Sequence, residues 1–301
     1  MAAYDQRAAK GGASMRLATI LHNGEEQAAV MTENGPVLMK DVSELSGGKW
    51  ETDLFSIIQQ GQLDEIRHWY KENSEQLQGK EVSAEEYTFK PLYRHPSKIW
   101  GIGLNYVDHA ADLSEKAPST EPASFMKPDT TIIGPRDTIN IPRQSSRTTA
   151  EAELGVIIGK ECKDVSEGEA PAYIAGFTTI IDMTAEDILE KNPRYLTRSK
   201  SFDTFFSFGP FLVTPDEVGE VNDLKVATII NGEVHRENVV SNMTFTPWNL
   251  VSFHSQVMTL KPGDIISTGT PGAVPIKEGD IVECHIEGFE PLVNSVKDVK
   301  K

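Results

Sequence analysis

The stretch TAEAELGVIIG, residues 149–159, places two glutamates one residue apart at the start of an apolar run. Side chains at positions i and i+2 of a β-strand point to the same face, so this pattern predicts that Glu151 and Glu153 lie side by side. On an exposed edge strand such a pair would be ordinary, because acidic side chains are usually exposed. In a buried strand the two like charges repel each other and require a positive partner.

Three features of the surrounding sequence favour the buried strand. A second apolar run ends in Asp182, and an adjacent strand would bring this carboxylate beside the pair. Lys127 and Lys200 supply cations on either side of the same segment. Carboxylates without Cys or His are the donors that Mg²⁺ and Mn²⁺ prefer, and such an ion would let three buried acids stay ionised. The sequence therefore predicts a Mg²⁺ or Mn²⁺ site at Glu151, Glu153 and Asp182.

The composition is typical of a soluble globular protein. The chain has 301 residues, of which 39% are hydrophobic and 25% charged, enough for one large domain or a main domain with a small companion. A net charge of −16 argues against nucleic acid as a partner. No apolar stretch reaches the roughly 18 residues of a membrane span. Cys162 and Cys284 are the only cysteines and form no CxxC motif, which is typical of free thiols in the cytoplasm.

The order of the apolar runs predicts an α+β fold that is mainly β. Residues 1–14 have no apolar signal region and are expected to be a disordered leader or an expression-tag remnant. Residues 15–95 predict a small N-terminal α+β domain, with helical spacing over 51–77 that breaks near Gly61. Residues 96–301 predict a larger, mainly β domain, because they contain many short apolar runs separated by Gly, Pro, Asn and Asp and only a few helical stretches.

Seven motifs, in order, resemble those of the fumarylacetoacetate hydrolase superfamily over residues 96–297. They are GIGLNYVDHAADL, SFMKPDTTIIGP, EAELGVIIG, GFTTIIDMTAED, RSKSFDTFFSFGP, NGEVHRENVVSNM and LKPGDIISTGTPGAV. The resemblance implies that residues 96–301 are the catalytic domain, a mixed-sheet β roll that usually forms a homodimer. It matches Glu151, Glu153 and Asp182 to the family's metal ligands. It also implies that Lys200 is the active-site lysine and that Lys127 and Thr270 bind the substrate.

The segment NYVDHAADLSEK, residues 105–116, carries the predicted acid–base pair. On a helix, His109 and Asp112 are three positions apart and lie roughly on one face, where a carboxylate can orient an imidazole as a base. A solvated helix would also show this pattern, but by the resemblance His109 matches the catalytic histidine on a lid segment. The family partner is usually glutamate, so Asp112 departs from the pattern. Glu115 is a poor substitute because it lies about 240° around the helix.

The predicted reaction is the metal-dependent hydrolysis of a carbon–carbon bond in a small anionic oxo acid of the acylpyruvate or fumarylacetoacetate type. The metal would stabilise an enolate as the bond breaks, with Lys200 adding positive charge and His109 activating water. Without a competent base, the same centre would act as an oxaloacetate-type or 5-oxopent-3-ene-1,2,5-tricarboxylate-type decarboxylase or isomerase. A non-catalytic metal-dependent binding protein is the alternative from a different class. Turnover would exclude it.

Overall fold

A computed structural model describes residues 15–106 and 118–300 of the chain. The predicted leader 1–14 and the predicted pair His109 and Asp112 lie outside the described residues. Within the described part, no helix combines the length and the apolar composition needed to cross a membrane.

Eighteen strands are present in the two described ranges. In chain order they are β1 (Arg16–His22), β2 (Glu25–Thr32), β3 (Gly35–Leu38), β4 (Tyr87–Phe89), β5 (Ile99–Gly103), β6 (Ala123–Lys127), β7 (Ile132–Ile133), β8 (Thr138–Ile141), β9 (Thr148–Ile158), β10 (Ile174–Ala185), β11 (Phe206–Phe208), β12 (Phe211–Val213), β13 (Lys225–Ile230), β14 (Glu233–Val239), β15 (Ile265–Ser267), β16 (Val274–Ile276), β17 (Ile281–Ile286) and β18 (Leu292–Asp298).

The α-helices of the described residues are short and mostly flank the strands. They are α1 (Met39–Leu45), α2 (Leu54–Gln59), α3 (Leu63–Asn73), α4 (Glu186–Lys191), α5 (Leu196–Lys200) and α6 (Pro247–Val257). The break predicted near Gly61 separates α2 from α3, and this glycine has a φ of +67°, a left-handed conformation that ends a helix. Asp53 begins α2 by accepting a hydrogen bond from the backbone N–H of Ser56.

The strands form two mixed sheets. The larger, of 13 strands, has the path β3-β2-β1-β12-β10-β9-β15-β5-β6, and the smaller has the order β14-β13-β17-β18-β8. Three pairs are parallel, namely β5 with β15, β7 with β11 and β8 with β18. The N-terminal strands join the larger sheet through the antiparallel pairing of β1 with β12. This mainly β, mixed-sheet architecture confirms the predicted fold class.

The long antiparallel pair β9 and β10 lies at the centre of the larger sheet, and every residue of both strands is buried. One face of β9 is apolar, because Ala152, Leu154 and Val156 belong to the same core cluster as Val226 and Cys284 of the second sheet. Side chains of a strand alternate between faces, so Glu151 and Glu153 point to the opposite side. The apolar run therefore fixes the strand, and its alternation presents the two glutamates together.

Candidate metal and active site

The structure brings the three predicted metal ligands together. Asp182 on β10 lies directly opposite Glu151 on β9 in the antiparallel register, and directly opposed side chains lie on one face of a sheet. One carboxylate oxygen from each of Glu151, Glu153 and Asp182 lies within 4.8 Å of the others. All three side chains are buried. We call these three residues the carboxylate cluster.

Two buried lysines contact the cluster from separate elements. Lys127, the last residue of β6, donates from Nζ to Asp182 Oδ1 at 2.5 Å. Lys200, the last residue of α5, donates from Nζ to Glu151 Oε2 at 2.6 Å and to Asp182 Oδ2 at 2.7 Å. With all five groups ionised, the centre has two positive and three negative charges and a net charge of −1. The lysines therefore compensate most of the buried negative charge.

The pKa values at the centre follow from burial and from these contacts. Burial, together with the negative charges of Asp182 and Glu151, raises the pKa of Glu153 to about 8. Burial would also raise the pKa of Asp182, but Lys127 and Lys200 outweigh this effect and hold it below its ordinary value. Burial lowers the pKa of Lys127 to about 8, against the attraction of Asp182. Glu153 forms no ion pair with Lys127 or Lys200. A further positive charge would therefore stabilise the ionised form of this carboxylate most.

The donor set fits a divalent cation. Three carboxylates converge with no Cys or His in the group, which suits the hard ions Mg²⁺ and Mn²⁺. Among the described residues, Oε1 of Glu151 and Oε1 of Glu153 accept no hydrogen bond, whereas Oε2 of each glutamate accepts two. A divalent ion would change the net charge of the centre from −1 to +1, which is suited to an anionic ligand.

An aromatic ring lies beside Lys200. Nζ of Lys200 is 4.7 Å from the centroid of the Phe125 ring, within the range of a cation–π contact. The ring occupies the space above Gly101 on the neighbouring strand β5, where an added Cβ would lie 2.2 Å from a ring carbon. Gly101 therefore allows Phe125 to lie against the lysine.

The loop after β15 contacts the carboxylate cluster through a backbone N–H. Thr270 is buried, and its hydroxyl donates to the carbonyl of Gly272 and accepts from the N–H of the same residue, both at 3.2 Å. The N–H of Gly269 donates to Glu153 Oε2 at 2.8 Å. Binding of a substrate by Thr270 stays a prediction, whereas one backbone donor of this loop binds a residue of the carboxylate cluster.

The prediction did not include the hydroxyls that hold the two glutamates. Ser267 Oγ donates to Glu153 Oε2 at 2.5 Å, and Thr184 Oγ1 donates to Glu151 Oε2 at 3.0 Å. Thr184 is two positions after Asp182 on the same strand, so strand alternation could have identified it. Nothing in the sequence near Ser267 indicates its contact, because the contact depends on how β15 pairs with β9.

Comparison with known proteins shows to which family this chain belongs. Residues 98–297 match the family described as fumarylacetoacetate (FAA) hydrolase C-terminal. An uncharacterized protein of Methanocaldococcus jannaschii is 46% identical over 204 residues, which are 67% of this chain and 84% of that protein. A mitochondrial oxaloacetate tautomerase of Rattus norvegicus is 35% identical over 223 residues, which are 71% of each chain.

A solved structure extends the likeness to almost the whole chain. The 2-hydroxyhepta-2,4-diene-1,7-dioate isomerase of Mycobacterium marinum has a TM-score of 0.73 and 30% sequence identity, and the match covers 96% of this chain and 100% of that chain. The proteins that this chain resembles thus include an oxaloacetate tautomerase and a 2-hydroxyhepta-2,4-diene-1,7-dioate isomerase. From the matched residues and the shared architecture, the chain belongs to the fumarylacetoacetate hydrolase family.

Proposed function

We propose that the protein is an enzyme that interconverts the keto and enol forms of a small 2-oxo dicarboxylic acid of the oxaloacetate type, with Mg²⁺ or Mn²⁺ as its cofactor. The observation that carries the proposal is the buried centre of three carboxylates and two lysines, in which Lys200 is held by two hydrogen bonds. Such a centre can stabilise the negative oxygen of an enolate. The relative named as an oxaloacetate tautomerase and the neighbour named as an isomerase support this reaction class.

Glu151, Glu153 and Asp182 would hold the cation, which when bound supplies Lewis acidity toward the oxygens of the substrate. Burial would lower the pKa of Lys200, but Asp182 and Glu151 outweigh it and keep the ammonium charged. Lys200 therefore supplies a fixed positive charge in a buried setting, where it stabilises a developing negative oxygen more than it would in water. We propose His109, oriented by Asp112, as the base that takes the proton from the carbon beside the ketone.

Hydrolysis of a carbon–carbon bond, the reaction predicted from the sequence, is the second candidate. It would use the same enolate stabilisation and would add a water activated by His109. The motif that carries His109 and Asp112 favours this candidate, although Asp112 replaces the usual glutamate. Decarboxylation of an oxaloacetate-type acid would need the enolate stabilisation but no attacking water.

One set of assays separates these reactions. Oxaloacetate and acetylpyruvate are each supplied with Mg²⁺ or Mn²⁺, and enol absorbance, carbon dioxide and the products in the NMR spectrum are followed with and without EDTA. The proposal predicts enol–keto conversion of oxaloacetate faster than with the cation alone, without accumulation of pyruvate. Acetate and pyruvate from acetylpyruvate, lost in His109→Ala, would establish the hydrolase instead. A rate no higher than the cation-only rate for both substrates would leave only the binding protein.

We also propose that the protein is a homodimer located in the cytoplasm. The dimer rests on the family resemblance, and light scattering on the purified protein tests it. The location is supported by the two cysteines, which are both buried and free, as expected in a reducing compartment.

A further inference from the structure

We propose that Ser267 is a positioning residue of the metal site, and this inference rests on the cation site of the proposed function. The Ser267 hydroxyl and the Gly269 backbone N–H, named here the donor pair, both bind Oε2 of Glu153, at 2.5 and 2.8 Å. Two donors, a side-chain hydroxyl and a backbone N–H, restrain the rotation of the carboxylate. Oε1 of Glu153 accepts no hydrogen bond from the described residues, so it is the oxygen that we assign to the cation.

In Glu151, too, only one of the two carboxylate oxygens accepts hydrogen bonds from the described residues. Glu151 Oε2 accepts from Thr184 Oγ1 at 3.0 Å and from Lys200 Nζ at 2.6 Å, while its Oε1 accepts no hydrogen bond from the described residues. In both glutamates the described residues thus bind one oxygen and donate no hydrogen bond to the other. Among the described residues Glu153 has no lysine partner, and only the donor pair binds its carboxylate.

The backbone around the donor pair is held in place. Gly269 has a φ of +99°, and an added Cβ would lie 2.8 Å from Cβ of Asn105, so this position requires glycine. The Asn105 side chain donates to the carbonyls of Thr268 at 2.7 Å and Phe245 at 2.9 Å, and it accepts from the Phe245 N–H. These three hydrogen bonds fix the loop that carries the Gly269 N–H.

The strand that carries the hydroxyl is equally constrained. β15 lies between β9 and β5, and Ser267 is opposite Gly155 on one side and Gly101 on the other. Both neighbours lack side chains, so the serine side chain meets no Cβ directly beside it on either strand. The hydroxyl can therefore reach across to Glu153 on the same face.

A purely structural role for Ser267 would give a different experimental result from a positioning role. If its hydroxyl only satisfied a buried carboxylate, its loss would lower the free energy of unfolding without changing how tightly the folded protein binds a cation. If it positions Glu153, its loss lowers cation affinity in the folded protein. Partners of metal ligands typically contribute 10- to 100-fold to affinity.

The test compares Ser267→Ala with Ser207→Ala. Ser207 on β11 is a matched control, because it is fully buried and its hydroxyl has no hydrogen-bond partner among the described residues. Mn²⁺ affinity is measured by titration calorimetry, and the bound ion is examined by electron paramagnetic resonance. We expect Ser267→Ala to bind Mn²⁺ about 10- to 100-fold more weakly, with a changed spectrum. We expect Ser207→Ala to match the wild type within about twofold, because no hydrogen bond is lost.

Unchanged Mn²⁺ affinity in a folded Ser267→Ala overturns the inference. A cooperative urea-unfolding transition in the presence of EDTA establishes that the variant is folded. If it is not folded, Ser267→Gly, which removes the same hydroxyl, decides the question, because wild-type affinity there would also overturn the inference. A wild-type protein that binds no Mn²⁺ removes both the inference and the proposed cofactor. Weakened binding in Ser267→Ala together with no turnover in the wild type would leave the inference standing and reject the proposed reaction.

Discussion

The substitution Gly101→Ala tests how the position of Lys200 depends on a glycine in a neighbouring strand. The new Cβ would lie 2.2 Å from a carbon of the Phe125 ring, whereas carbon atoms in contact are about 3.5 Å apart. The ring must therefore move by about 1.3 Å. If it moves away from Lys200, the distance from Nζ to the ring centroid increases from 4.7 Å to about 6 Å, the outer limit of a cation–π contact.

Two energetic effects follow from this displacement. Overpacking of a buried site costs about 1–3 kcal/mol, and loss of a desolvated cation–π contact costs about 0.5–2 kcal/mol. We therefore expect the free energy of unfolding in the presence of EDTA to fall by about 1.5–5 kcal/mol. If Lys200 shifts with the ring that supports it, a displacement of about 1 Å can cost two orders of magnitude in rate, so kcat should fall at least about tenfold.

Urea unfolding and steady-state kinetics on Gly101→Ala measure both effects. Gly103→Ala is the matched control, because Gly103 lies on the same strand and, among the described residues, its added Cβ would meet only the Ala123 carbonyl oxygen at 3.7 Å, an ordinary contact. The control should change the free energy of unfolding by less than about 1 kcal/mol. The reasoning is refuted if Gly101→Ala is as stable and as active as Gly103→Ala.

Three further predictions concern buried ionisable groups. Asp182→Asn removes the carboxylate that both lysines contact, so urea unfolding in EDTA should show a loss of about 3–5 kcal/mol; a loss below about 1 kcal/mol contradicts the buried ion pairs. Burial lowers the pKa of His254 in the folded protein. When the pH is lowered, this histidine is therefore protonated at a higher pH in the unfolded chain than in the folded one. The free energy of unfolding should then fall by up to about 1.4 kcal/mol per pH unit below about pH 6.5. Urea unfolding at several pH values should show a smaller decrease in His254→Gln, and equal decreases reject this assignment. Burial raises the pKa of Cys162 to about 11 and that of Cys284 to about 12, so a thiol reagent should react at least about 10²-fold more slowly with the folded than with the unfolded chain; equal rates contradict the buried thiols.

The sequence predicts the pairing of Glu151 with Glu153 because this pairing depends only on local alternation. The apolar residues between and after them require a buried strand, and the structure has β9 over Thr148–Ile158. The register that sets Asp182 opposite Glu151 is not a local property. It depends on which faces of β9 and β10 pack on the core, so the sequence could suggest proximity but not the direct opposition.

Contacts between distant segments account for what the sequence could not predict. Ser267 and Phe125 resemble ordinary strand residues, and only the pairing of β15 and β6 with β5 places them at the centre. The predicted boundary at residue 95 stays a prediction, although β1 joins the larger sheet through a strand nearly 200 positions later. The roles of His109 and Asp112 also stay predictions, because the structure describes neither residue.

The separation of the donor pair from Glu153 along the chain has a consequence for protein synthesis. Ser267 and Gly269 are 114 and 116 positions beyond the glutamate that they hold. A nascent chain that has been made as far as α5 already contains all three carboxylates and both lysines, yet it lacks the strand that orients Glu153. Long-range pairing of this kind forms late, so the centre matures only after the ribosome has delivered β15. The proposed cation site is thereby complete only when the sheet is complete.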